Sequence, residues 1–251
     1  MSNVRVLIAG ESWITISTHI KGFDSFVTSN YEEGGEQLQK GLERNGIAVD
    51  YLPNHVVGRK FPTSLAELRQ YDAVLLSDVG ANSLLLHPDT FAKSIPAPNR
   101  LKLLKEYVVS GGGLLMIGGY LTFQGIEAKG NWRGTPVEEV LPVDLLDGDD
   151  RVEVPEGFTP EVVNSDHPIL KGIARDWPMF LGYNRLILKP QATLLARVGD
   201  DPFIAVMEVG EGRTMAFASD CSPHWGPPGF TGWEYYPAFW TQAVKWLSRK
   251  L

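Results

Sequence analysis

Short apolar runs of buried character, separated by stretches with helical spacing, limit most strongly how this chain can fold. Residues 4–9 form the first run, ended by Gly10, and residues 48–52, 73–77 and 114–117 repeat the pattern. Strands covered by helices on both faces read as near-continuous apolar runs, so the expectation is an α/β fold with a mostly parallel sheet. A helix is expected over residues 31–45, where Leu38 and Leu42 share a face and Gly46 supplies a stop. Leu101, Leu104, Tyr107 and Val108 give helical spacing over residues 99–109, and Phe239, Ala243, Trp246 and Leu247 form one stripe over 236–247.

The second half carries shorter strand candidates at 151–154, 186–188, 193–198, 203–209 and 213–218, the last two joined by Gly210-Glu211-Gly212. They predict an antiparallel extension of the sheet. With 251 residues and 43% hydrophobic content, the whole chain, 1–251, is expected to form one domain. Residues 11–30 separate the first strand from the first helix and read as a loop far longer than the usual βα connection, as functional loops often are.

A formal charge of −7 opposes a nucleic-acid partner, whose affinity rests on Lys and Arg neutralising phosphates. No apolar stretch approaches the roughly 20 residues that span a bilayer, and the N-terminal run, without a basic leader, reads as a strand rather than a signal peptide. The single cysteine, Cys221, excludes an internal disulfide framework and fits a reducing, cytoplasmic setting. Apolar residues in the long loop and in the Trp-rich stretch 226–240 suggest a homo-oligomer.

Ligands of open α/β sheets bind outside the carboxyl ends of the strands. Four connections place chemistry there. Glu11, Ser12 and Trp13, then His19, Lys21 and Asp24, follow the first strand; Asp78 and Asn82 follow residues 73–77; Gly119, Tyr120 and Gln124 follow 114–117; Asp220, Cys221, His224 and Trp225 follow the last strand. Individually, Glu11, Ser12 and Asp24 are equally good caps or turn formers, and a lone intracellular cysteine is more often a buried hydrophobe than a nucleophile. His224, just past a buried strand, is the strongest candidate.

The stretches Gly10-Glu11-Ser12-Trp13, residues 19–24, residues 77–82, residues 111–125 and residues 219–225 together resemble a family of cytoplasmic proteins called putative glutamine amidotransferase-like. The resemblance covers nearly the whole chain. It implies a flavodoxin-like, class I glutamine amidotransferase-like fold, with a more distant similarity to ThuA-like proteins of trehalose utilisation. A working glutaminase site of that fold needs a cysteine on a sharp strand-to-helix turn, paired with a histidine that a glutamate orients. Here Tyr120 stands on or beside the elbow, and His224 is followed by Trp225 and Gly226 rather than by a His-x-Glu pair.

The leading expectation is therefore a small-molecule site that binds a sugar-like or carboxylate metabolite and acts, if at all, by acid–base chemistry. Tyr120, His224, Asp220 and Cys221 are its catalytic candidates; Glu11, Ser12, Trp13, His19, Lys21, Asp24, Asp78, Asn82, Gly119, Gln124 and Trp225 are its binding candidates. The alternative is a non-catalytic relative that serves as a binding or scaffold subunit. A metal-dependent hydrolase using His19, Asp24, Asp220 or His224 lacks a supporting ligand spacing, and a glutaminase would have to use Cys221. No cofactor or metal is expected.

Overall fold

The computed structural model describes residues 4–251. The apolar runs become the strands β1 (Arg5–Gly10), β4 (Ala48–Leu52), β5 (Ala73–Ser77) and β6 (Gly113–Ile117), with β5 and β6 buried along their whole length. Between β1 and β4 lie a hairpin, β2 (Ser12–Lys21) and β3 (Asp24–Glu33), and the helix α1 (Glu36–Arg44). The helices α2 (Asn54–Lys60) and α3 (Leu65–Leu68) lead to β5, and α4 (Ala81–Leu85), α5 (Pro88–Lys93) and α6 (Arg100–Val109) lead to β6. After β6 come α7 (Pro136–Val140), β7 (Val143–Asp144), β8 (Arg151–Phe158), β9 (Glu161–Val162), β10 (Phe180–Asn184) and β11 (Ile187–Leu188). The chain closes with β12 (Thr193–Val198), β13 (Asp201–Val209), β14 (Gly212–Phe217), α8 (Pro228–Thr231) and α9 (Tyr236–Leu247).

The main sheet has eight strands in the order β4-β1-β5-β6-β14-β13-β12-β9. The first five run parallel and the last three pairings are antiparallel. This is the expected α/β arrangement, with its antiparallel part where the second half of the sequence placed it. Helix α1 packs against α9 on one face, while α2, α4 and α6 pack together on the other. Chain order runs outward from β1 to β4 and then crosses back to β5, so the sheet changes winding direction between β1 and β5. Their carboxyl ends flank the crevice that such a reversal opens.

Two expectations need correction. Residues 11–30 are not a loop: β2 and β3 pair residue for residue from Ser12↔Glu33 to Lys21↔Asp24 around the Gly22-Phe23 turn. Gly22, at φ +64°, leads the turn as a type II′ hairpin requires. The helix expected from residue 31 starts only at Glu36, because Tyr31 to Glu33 complete β3. Two of the strand candidates also leave the main sheet: β8 pairs with β10, and β11 with β7.

Candidate functional site

The crevice between β1 and β5 opens onto the loops after β6 and β14. Glu11 follows β1 and Asp78 follows β5, and both adopt left-handed backbone angles, φ 47° and 43°. For residues other than glycine that conformation costs on the order of 1–3 kcal/mol and persists where its surroundings enforce it. Here the Glu11 N–H donates to the Ser77 carbonyl at 2.7 Å, and an Asp78 oxygen accepts the Leu121 N–H at 2.7 Å. Both strand ends thus turn a carboxylate toward the same space.

That space is a cavity of about 420 Å³ lined by Glu11, Trp13, Asp78, Tyr120, Asp220, Ser222, Pro223 and His224. Its lining has three carboxylates and one imidazole and, among the described residues, no lysine or arginine. The Glu11 carboxylate accepts the Ser77 hydroxyl at 2.5 Å and the Ser222 hydroxyl at 2.6 Å. Ser222 Oγ lies 3.2 Å from Asp220 Oδ1, and Asp220 Oδ2 lies 3.7 Å from His224 Nδ1, an ion-pair separation. A polar chain therefore runs from Glu11 through Ser222 and Asp220 to His224. Gly34 leaves room for it, since a Cβ there would stand 2.6 Å from Glu11 Oε1 and 2.7 Å from Ser222 Oγ.

Crowded carboxylates out of water hold protons more tightly. Burial, and then the charges of Asp220 and Asp78, raise the Glu11 pKa well above the usual carboxylate range, against the opposing hydrogen bonds from Ser222 and Ser77. Burial and Asp220 push Asp78 up to about 6. At His224, burial disfavours the imidazolium, but Asp220, with Glu153 and Asp78, outweighs it and raises the pKa.

Tyr120 stands at the cavity wall with its ring edge-on to His224, 4.3 Å between centroids. Its phenol donates to Glu153 at 2.8 Å, and the Arg151 guanidinium lies 4.6 Å above its ring. Burial and Glu153 raise the phenol further, so it remains a protonated donor. Trp225 is buried behind this wall, its indole N–H donating to Glu153 at 3.0 Å. Below, Asn184 accepts the Gly119 N–H at 3.0 Å and donates to Asp150, which in turn accepts the Gln124 and Gly125 N–H groups at 2.8 Å each.

The structure thus brings Glu11, Trp13, Asp78, Tyr120, Asp220 and His224 together around the cavity, with Gly119 against Asp78 and Trp225 against the Tyr120 and His224 rings, and the remaining candidates do not line it. His19, Lys21 and Asp24 lie on the outer half of the hairpin, where His19 stacks on Phe26 and Lys21 sits over the same ring. Asn82 is exposed on α4. Gln124 is buried and accepts the Arg133 N–H, and the Ser12 hydroxyl accepts the Asn54 N–H. Cys221 does not line the cavity: it is buried behind Glu11, its sulfur 3.5 Å from the Ser77 hydroxyl and 3.8 Å from Glu11 Oε2. Burial, Glu11 and Asp220 raise its thiol well above the ordinary range. Glu11, Asp220 and Cys221 place one potential metal-ligand atom each within 4.8 Å of one another.

Residues that strand-end reasoning missed are Glu153, Arg151, Asn184 and Asp150. One signal was present: alternation in Arg151-Val152-Glu153-Val154 puts Arg151 and Glu153 on one face of a strand.

Compared with known proteins, the pattern of the family described as "Putative glutamine amidotransferase" matches residues 5–249. The chain belongs to this family. Its fold is shared nearly end to end by two solved cytoplasmic proteins of Salmonella typhimurium. STM3548 is 46% identical with a TM-score of 0.93, over 96% of this chain and 98% of its own. STM1381, from strain LT2, is 46% identical with a TM-score of 0.94, over 97% and 99%. A putative ThuA-like protein from Parabacteroides merdae shares the fold alone, at 11% identity and a TM-score of 0.59 over 98% of this chain and 90% of that one. A search of curated proteins found no match. Among the described residues, no helix of this amidotransferase-like chain is long and apolar enough to cross a membrane.

Proposed function

We propose that this amidotransferase-like chain binds a small, neutral, hydroxyl-rich metabolite of sugar-like character at the carboxyl edge of the sheet and moves protons on it without thiol chemistry. The observation that carries this reading is the Asp220–His224 pair beside two proton-retaining carboxylates around one cavity. An anionic ligand would meet an acidic lining with no lysine or arginine, so a carboxylate compound is the poorer fit.

In this reading His224 is the proton acceptor and donor, half-exposed at the cavity rim, and Asp220 orients its ring and favours the imidazolium. Ser222 ties the pair to the end of β1, its hydroxyl 2.6 Å from Glu11 Oε1 and 3.2 Å from Asp220 Oδ1. Asp78 titrates near 6, low enough to accept a hydrogen bond from a ligand hydroxyl at neutral pH. Tyr120 is a wall with a polar tip, its hydroxyl already committed to Glu153. Cys221, turned away with a raised thiol pKa, plays no part as a nucleophile. The Salmonella relatives are described as cytoplasmic, and we assign this chain to the same compartment.

The test is a thermal-shift screen of neutral sugars and polyols against carboxylates, followed by NMR detection of turnover of any binder. His224→Ala should cut turnover about 10²- to 10⁴-fold, as loss of a general acid–base does, while Tyr120→Phe should keep most of it. Unchanged binding and turnover in both variants would remove this site from consideration. Ammonia release from glutamine that Cys221→Ser abolishes would overturn the non-thiol chemistry.

A further inference from the structure

The hairpin β2–β3 alternates so that every second residue faces one side. Ile14, Ile16 and Ile20 from β2 share a face with Val27 and Tyr31 from β3, through the pairs Ile14↔Tyr31, Ile16↔Ser29, Thr18↔Val27 and Ile20↔Ser25. These five are exposed by 55, 70, 74, 63 and 42% in that order, and Phe23 at the turn is fully exposed. The other face is internally satisfied: Trp13 donates to Glu32, His19 bonds Thr28 and stacks on Phe26, and Lys21 covers the Phe26 ring. Period-two patterning of this kind belongs to a strand pair with one side covered. Among the described residues, only the root near Tyr31 finds a neighbour, the His55 ring on α2.

An isolated two-stranded hairpin is at best marginally stable in water, and an apolar patch this continuous marks an interaction surface. The exposed side chains of the face, with Phe23 at its tip, offer on the order of 800 Å², about one partner's share of a standard interface. From Ile14 to the turn the face carries hydroxyls but no charge. Two copies of a chain with a net charge of −7 repel each other in general, and an uncharged face is where they meet without juxtaposing like charges.

We infer that the β2–β3 arm is a self-association element, its apolar face packing on the same face of a second copy of this chain. Identical surfaces meeting about a two-fold axis close the assembly. Sheet faces packed in this way stand about 10 Å apart, with the isoleucines interdigitating. The arm departs from Ser12 and Trp13, so its docking also fixes the entrance of the cavity that Trp13 lines.

Sedimentation equilibrium of the full chain across roughly micromolar to hundred-micromolar concentration tests this, and a dimer is expected. Ile16→Lys combined with Ile20→Lys should weaken association at least about 100-fold, whereas Ser17→Lys on the opposite face should leave it intact. A second variant, with residues 18–27 replaced by Asn-Gly so that Ser17 still faces Thr28 across a two-residue turn, should also be monomeric. Circular dichroism melting verifies that each variant remains folded. A monomeric wild type, or association that survives either arm variant, would overturn the inference.

Discussion

Glu11 Oε1 accepts the Ser222 hydroxyl at 2.6 Å, joining the end of the first strand to the loop after the last across 211 positions of sequence. This bond couples a buried carboxylate whose pKa burial raises to the segment that carries His224, so the protonation of one end bears on the placement of the other.

Asp78, raised by burial and by Asp220, has a measurable signature of its own. Its folded pKa, about 6, lies above the ordinary 3.8. The native state thus holds the proton more tightly than the unfolded chain. No penalty applies below pH 4, where both states are protonated, and stability falls as pH rises from about 4 through 6. Asp78→Asn keeps the oxygen that accepts the Leu121 N–H and removes the charge. Urea denaturation should find it more stable than wild type by about 1–3 kcal/mol at pH 7 to 8, with the gap narrowing toward pH 4.

Asp220 is expected to set the titration of His224. Asp220→Asn removes the main charge that opposes desolvation of the imidazolium, so the imidazole pKa should fall. An NMR titration of the ring carbons reads this without a substrate. An unchanged midpoint would show that the pair does not interact.

Gly34→Ala should destabilise by about 1–3 kcal/mol, the range for overpacking a tight interior. The added methyl would press on Glu11 and Ser222 together. Gly148→Ala, with nothing within 4 Å of its Cβ position, serves as the control and should change stability by under about 0.5 kcal/mol.

Cys221 should resist thiol reagents in the native state. Only 1% of it is exposed and its thiol pKa is raised. Labelling with a chromogenic disulfide at pH 8 should run at least about 100-fold slower than in 8 M urea. Fast native labelling would return the thiol to the list of reactive groups.

The parallel strands were legible because burial on both faces leaves an unbroken apolar run, as in Ala73–Ser77. The hairpin was not, because Thr15, Ser17, Thr18, Ser25, Thr28 and Ser29 dilute its isoleucines and give the stretch the composition of a loop. Glu11, Asp78, Asp220 and His224 were found because they lie directly after parallel strands, where topology alone predicts convergence. Glu153 sits inside an antiparallel strand outside the main sheet, and its approach to Tyr120 depends on how β8 and β10 fold over the edge. Asn184 and Asp150 act as buried braces, and only their hydrogen bonds identify them.

The order in which the site is encoded has a consequence for the growing chain. The four strands β4, β1, β5 and β6 are complete by Ile117, and two of the three carboxylates are in place with them. Asp220, Ser222 and His224 emerge about a hundred residues later, after every strand has been made. A product interrupted before β14 would lack Asp220, Ser222 and the imidazole. The candidate site is therefore complete only once synthesis has passed His224.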